Sequence, residues 1–306
     1  MDYRTAQKLY LDSLTVEGKS TNTIKGYSRI LEDFGTFTDG KEIMPITVSD
    51  WRTAKYENGI KGATIAHYMT VLSMFFAWGM EQGIFESNPF IKISKPKKEE
   101  KKYDILSRDQ IQTLISYKEK AKGAFAKNNL RNRAIVHMLI MTGLRNSELR
   151  ALTLHDLDFE NGIIRVIDGK GGKSRSAPFP KTARETLAEY LASGARPENL
   201  TENDLLFGTD ADEKGHSTHG AHWNALSSAA LLQIVSTYTE KVCGHAVGVH
   251  TLRHCAASLW DDMKIPIRDV QKALGHANIA TTEKVYIQIL NPAAAAQNIS
   301  AVMDSI

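Results

Sequence analysis

Apolar residues recur at helical spacing through most of the chain, and the exceptions gather in one short window. Tyr10, Leu11 and Leu14 predict a first helix closed by Gly18. Thr21 or Thr23 caps a second, with Ile24, Tyr27, Ile30, Leu31 and Phe34 along one face. Ser49 and Asp50 open a short third helix around Trp51 that runs to Gly59. The longest spans Ala63 to Gly79, where Ile65, Tyr68, Met69, Leu72, Phe75 and Phe76 form a wide apolar stripe. These four helices predict a small all-α domain over residues 1–93. Prolines and like charges from Ser94 through Pro96 to Lys102 disfavour helix, so residues 94–104 read as a linker.

The pattern resumes at Ser107-Arg108-Asp109-Gln110, a capping box followed by Ile111, Leu114 and Ile115. Leu130 to Thr142 is a helix with Ala134, Ile135, Met138, Leu139 and Ile140 facing inward, and Gly143 terminates it. Another helix begins in Leu144-Arg145-Asn146-Ser147-Glu148-Leu149, which puts Arg145 at a junction. The period then changes to two. Leu157 to Phe159, the turn pair Asn161-Gly162 and Ile163 to Ile167 predict a β-hairpin, and the turn Asp168 to Lys173 leads to a third strand from Ser176 to Phe179. Thr182 to Leu191 is an amphipathic helix, and Leu205-Leu206-Phe207 a buried strand-like or turn segment. From Gly248 to Leu290 three short helices follow. The first carries Leu252, Ala256, Leu259 and Trp260 on its buried face. The second opens at Pro266, turns Ile267, Val270 and Leu274 inward, and ends at Gly275 as a left-handed cap. Thr281 and Thr282 signal the start of the third, which carries Tyr286 and stops before Pro292. The predicted fold is mainly α with a small antiparallel β-sheet: a helical domain over 1–93 and a mixed α/β domain over 105–306. In the tail, Ile299, Val302, Met303 and Ile306 form a stripe that docks either in a neighbour's groove or on its own domain.

Composition narrows the function classes. With 306 residues, 42% of them apolar, the chain can bury a sizeable core. No run reaches membrane-spanning length and the N-terminus lacks a secretory apolar region. Cys243 and Cys255, in no metal-ligand spacing, suit a reducing cytoplasm. The formal charge of +3 says little by itself, so local clusters carry any nucleic-acid reading. Lys19, Lys25, Arg29, Arg52, Lys55, Lys61 and Lys92 are the candidate DNA-facing residues of the first domain. Lys95, Lys97 and Lys98 offer the same in the linker, and Lys173 and Arg175 beside the glycine-rich turn; a solvated face or a soluble hinge is the alternative. His216, His219 and His222 lie in a polar loop without Cys or carboxylate at ligand spacing, so no metal site is expected. Gly169-Lys170-Gly171 lacks the spacing and hydroxyl of a Walker loop, so no nucleotide is expected either.

The chemistry-bearing residues are Arg145, Lys170, His250, Arg253, His276 and Tyr286. His250 and Arg253 stand one turn apart near a helix N-terminus, a setting that favours anions. Lys170 extends from a turn that glycines leave open. Arg145 pairs structurally with Glu148 or grips an anion. Two imidazoles, a guanidinium and a phenol on the three short helices from Gly248 to Leu290 would form a phosphate site with its own nucleophile, whereas the turn around Lys170, taken alone, reads as an ordinary glycine-rich turn.

The order TGLRNSEL, DGKGGK, HTLRH, LGH and ATTEKVY resembles the tyrosine recombinase (phage integrase) family, by motif over most of residues 100–290 and by helical pattern over 1–95. Tyr286 lies ten residues beyond His276, one more than in many members, and Tyr-Ile-Gln replaces the usual Tyr-x-His. The simple two-domain order is similar to the Xer type, without an added arm-site-binding domain. The resemblance implies a helical core-binding domain, a catalytic domain, and strand exchange through a 3′-phosphotyrosine and a Holliday junction without metal, ATP or other cofactor. Its partners would be double-stranded DNA sites, a homotetramer on DNA built from monomers, and accessory DNA-bending or regulatory proteins, in the cytoplasm with the nucleoid. Integration, excision, inversion and chromosome dimer resolution remain open. Type IB-like topoisomerase action and a DNA-binding module with an inactive site are the competing readings.

Overall fold

The computed structural model describes residues 2–39, 41–96, 105–118, 124–167, 174–209, 223–276, 278, 279 and 282. The chain falls into two compact units, Met1–Lys101 and Lys102–Ile306.

The first unit holds α1 (Tyr3–Val16), α2 (Thr21–Phe37), α3 (Pro45–Glu57) and α4 (Gly62–Glu81). Sequence placed the cap of α2 at Thr21 or Thr23. Ser20 takes that role, its hydroxyl accepting from the Thr23 amide at 3.2 Å. The start of α3 also moves, from Ser49 back to Pro45, because a proline at the first position loses no helical hydrogen bond and supplies a helical φ. The interior is aromatic. Phe34 meets Trp51 edge-on at 5.4 Å and Phe90 at the same distance, while Phe76 lies against Phe85 at 4.6 Å. Asp33 accepts from Trp51 Nε1 at 3.1 Å and from Lys55 Nζ at 2.5 Å, so one carboxylate fixes α2 against α3.

The second unit is organised around α6 (Ala124–Thr142), preceded by α5 (Arg108–Ser116). The capping box of α5 forms as read: Ser107 Oγ accepts from the Gln110 amide, and Gln110 Oε1 from the Ser107 amide. Along α6, Ala134, Ile135, Val136, Met138, Leu139 and Ile140 are all buried, so the helix has no wet side there. Buried His137 is satisfied between Thr186 Oγ1 and Leu114 O. Helix α7 (Asn146–Ala151) follows with Arg145 as its cap, at the helix junction read from the sequence.

The small sheet has the order β1 (Leu157–Asp158), β2 (Ile163–Ile167), β3 (Ser174–Pro178), antiparallel throughout. Asp158 pairs with Ile163, which leaves four residues in the first turn rather than two. Only Gly162 there takes a positive φ, and the Asp158 carboxylate holds Asn161 instead. Next come α8 (Lys181–Ala192) and a two-stranded pair of β4 (Gly208–Thr209) and β5 (Asn224–Ala225). Helix α9 (Ser228–Cys243) was not anticipated, although Ser227 caps it, Leu231, Val235 and Tyr238 face inward at i, i+4 and i+7, and left-handed Gly244 ends it. The unit continues with α10 (Val249–Asp262) and α11 (Ile267–Leu274). Leu259 and Trp260 of α10 are only half-buried; Leu252, Cys255, Ala256 and Ala257 form its inner face. The third expected helix, with Tyr286, and the tail stripe lie almost wholly outside the described residues. Among those described, no helix is long and apolar enough to cross a membrane.

Removing the ring on which the first unit's aromatics converge should cost about 3–5 kcal/mol. Phe34→Ala is therefore expected to accelerate amide hydrogen exchange through α2, α3 and α4 while leaving α6 and α10 protected; unchanged exchange in α2 would contradict that packing.

Candidate active site

Two glycines bring the distant motifs together. Gly143 turns the chain out of α6 with φ +64°, and a Cβ there would stand 2.8 Å from Leu274 Cδ2. Gly275 ends α11 in the left-handed conformation (φ +65°), and its Cβ would stand 2.5 Å from the Arg175 side chain. Any other residue would be strained at either place and would push the segments apart.

The C-terminal end of α11 is then enclosed by arginines. Arg175 Nε donates to Ala273 O at 3.0 Å, Arg253 Nη2 to Leu274 O at 2.5 Å, and Arg145 Nη2 to Gly275 O at 2.6 Å. Three consecutive carbonyls without helical partners thus each accept from a different guanidinium, at the end of the helix dipole that favours positive charge. Arg253 also donates to Gly143 O at 2.5 Å. All three arginines share one counter-ion, Glu148. It accepts from the Arg145 amide and Nη1, each at 2.7 Å, and from Arg175 Nη2 at 2.8 Å, with Arg253 Nη1 4.0 Å away. Burial pushes the Glu148 carboxyl up, but the Arg145 amide, Arg175 and the Arg145 guanidinium outweigh it and hold the pKa below its usual value. Three guanidinium groups against one carboxylate leave a positive surplus in the cluster.

The histidines sit in that field. His250, at the exposed start of α10, lies edge-on to His254 at 4.7 Å. His276 follows Gly275 directly, its Nδ1 2.9 Å from Thr282 Oγ1. Burial first, then the nearby arginines, lowers the pKa of His250 and brings His276 to about 4. His254 also falls to about 4, through burial and then His250 and Arg253. All three imidazoles are neutral at pH 7. Burial, and then Arg145, likewise brings Arg253 down to about 9, which leaves it charged at neutral pH.

Arg145, Glu148, His250, Arg253 and His276 therefore come together as the motif order implied. Arg253, placed by sequence near a helix N-terminus that favours anions, is 2% exposed, with both terminal nitrogens already donating to carbonyls. Arg145, with its side chain 34% exposed, is the more accessible of the two. Lys170, Lys173, Thr281 and Tyr286 lie outside the described residues, as do His216, His219 and His222. Arg175, read as DNA-facing, points inward to Glu148 and Ala273, because strand alternation puts it on the same face as buried Ala177. Lys55 is likewise committed to Asp33, and Arg52 reaches Ser94 O at 3.1 Å. Lys19, Lys25, Arg29, Lys61, Lys92 and Lys95 are exposed, while Lys97 and Lys98 fall outside the described residues. No group of side chains suited to a metal ion occurs among the described residues.

Residues 104–291 match the phage integrase family, and residues 8–83 match the phage integrase N-terminal SAM-like domain. The chain belongs to the phage integrase family. This integrase-family chain is 30% identical to the tyrosine recombinase XerD of Ralstonia nicotianae over 283 residues, covering 90% of the chain and 86% of the relative. It is 28% identical to the tyrosine recombinase XerC of Staphylococcus saprophyticus, covering 93% of each. In fold it resembles the XerH site-specific recombinase bound to its palindromic difH substrate in a post-cleavage complex, with a TM-score of 0.72 and 24% identity over 91% of this chain and 80% of that one. It is similar, too, to the lambda integrase fragment bound to DNA, with a TM-score of 0.67 and 17% identity over 90% and 92% of the two chains.

Glu148→Gln removes the shared carboxylate and leaves buried guanidinium groups uncompensated. A loss of about 3–5 kcal/mol in denaturant unfolding of the second unit is expected; a change below about 1 kcal/mol would show that the carbonyls alone hold the arginines. The neutral histidines add a pH dependence. Their folded pKa values lie below the unfolded value of about 6.5, so the unfolded chain binds more protons as pH falls below about 6.5 toward 4. Stability is thus complete above that window and declines within it. The melting temperature should drop steadily from pH 7 to pH 4.5, and a flat profile would contradict the neutral assignment.

Proposed function

We propose that the chain is a site-specific DNA recombinase that breaks and rejoins strands through a 3′-phosphotyrosine on Tyr286. The observation that carries this reading is the arginine cluster around Glu148, whose positive surplus faces two neutral imidazoles. The cluster suits a phosphodiester, and neutral imidazoles suit proton exchange with a phenol. Phosphorus in the scissile diester is attacked by the Tyr286 oxygen, the bond to the 5′-oxygen breaks, and the phosphoryl group stays on the tyrosine. A phenol of pKa about 10 must lose its proton in this step, and unprotonated His250 accepts it. Arg145, with the remaining N–H groups of Arg253, holds non-bridging oxygens through charge-assisted bonds worth about 1.5–3 kcal/mol each. His276 donates a further hydrogen bond, and Lys170 supplies the proton that the leaving 5′-oxygen takes. Glu148 orients the arginines. The phosphotyrosine conserves the bond energy, so attack by the 5′-hydroxyl of another duplex rejoins the strand and releases Tyr286 without ATP.

Residues 1–93 serve as a helical domain clamping DNA, joined through 94–104 to the catalytic domain of 105–306. The exposed Lys25 and Arg29, one turn apart on α2, suit contact with a phosphate backbone. Four protomers assemble on two DNA sites and exchange strands through a Holliday junction, two cutting at a time, in the cytoplasm. The chemistry is the same for a mobile element and for chromosome dimer resolution.

Nicked suicide DNA, which traps the covalent intermediate, tests the reading directly. Wild-type protein should form an adduct on denaturing gels and Tyr286→Phe none. An adduct surviving in that variant would move the nucleophile elsewhere, and loss of the adduct in EDTA would reject the metal-free mechanism.

A further inference from the structure

His276 leaves α11 with its main chain held on both sides by one residue. Its amide donates to Gln271 O at 3.1 Å, and its carbonyl accepts from Gln271 Nε2 at 3.0 Å. Arg145 binds the preceding carbonyl at Gly275. What remains to be fixed is the ring, and the contact there is Nδ1 to Thr282 Oγ1 at 2.9 Å. Thr282 is fully buried, whereas His276 is half-buried. Among the described residues, no other partner stands at the Thr282 hydroxyl or at Nε2 of His276.

A neutral imidazole carries one ring proton, and the site it occupies decides what the other nitrogen can do. With the proton on Nδ1, the buried threonine hydrogen would lack an acceptor, and Nε2 would present a lone pair to an arriving phosphate, repelling it. With the proton on Nε2, Nδ1 accepts from the threonine, every buried polar atom of the pair is satisfied, and the half-exposed edge carries a donor. We propose that Thr282 is a positioning residue, whose hydroxyl donates to Nδ1 and keeps the ring proton of His276 on Nε2 for a phosphate oxygen. Thr282 thereby sets the tautomer of a group that touches substrate without touching substrate itself. A valine would fill the same space without the hydrogen bond; a serine would keep the bond and lose a methyl group.

The assignment of a phosphate as the recipient rests on the recombinase reading, but the tautomer does not. Histidine-selective ¹⁵N NMR of the full-length protein, with the His276 signals identified by their loss in His276→Asn, reads it directly. The wild type should show protonated Nε2 and unprotonated Nδ1, and a proton on Nδ1 would overturn the inference whether or not any variant folds. In single-turnover cleavage of suicide DNA, Thr282→Val should be about tenfold or more slower, toward the ~10²–10³-fold loss typical of removing one such donor outright. DNA affinity in gel shifts should change less than about twofold, and Thr282→Ser should restore most of the rate. Equal loss in the serine and valine variants, or a loss confined to DNA affinity, would make Thr282 a packing residue only. Should wild-type protein form no covalent adduct, the recombinase reading fails while the tautomer measurement still stands.

Discussion

The second unit depends on one arrangement: three successive carbonyls at the end of α11, each taken by an arginine from a different part of the chain, with Glu148 as their common counter-ion. A short helix of eight residues has little intrinsic stability, and its unpaired carbonyls would ordinarily turn to water. Here they define where α7, β3 and α10 must sit relative to one another. The same bonds place His276, because it begins where the third carbonyl ends. Structural closure and the gathering of the arginines beside His276 are therefore a single event.

The electrostatics follow from that closure. Clustered guanidinium groups would normally drive one another toward solvent, and the single carboxylate offsets only part of their repulsion. The surplus has two consequences that fit together. It suits an anion, and it adds to burial, the larger cause, in holding the pKa values of His250 and His276 below the ordinary imidazole value. One charge distribution thus bears on both the arginine cluster and the imidazoles beside it.

Much of this was legible in sequence, for identifiable reasons. Arg145, His250, Arg253 and His276 stand in short motifs whose local structure is written in adjacent residues: glycine at 143 and 275, and a helix start at 248. The helices of the first unit announced themselves through aromatic spacing, and the errors there concern boundaries: Pro45 and Ser20 were passed over as starts, and α4 runs on past Gly79 to Glu81. Direction of side chains was less accessible. Arg175 and Lys55 looked like DNA contacts because a charge in sequence carries no information about the carboxylate that awaits it in space. Glu148 and Asp33 became visible as their partners only in three dimensions. The role of Thr282 was hidden differently. A threonine before a helical stretch reads as a cap, and its use as a partner for a ring six residues earlier depends on the turn that Gly275 makes.

The order in which the pieces occur along the chain gives the arginine-bound helix end a further meaning. During synthesis Arg145 emerges first, then Arg175, then Arg253, and the carbonyls of residues 273–275 that gather them come after all three. A nascent chain paused anywhere before that point holds the basic residues without the scaffold that aligns them, and domains generally fold as units once their sequence is available. The three guanidinium groups thus gain their common alignment only once residues 273–275 have been made.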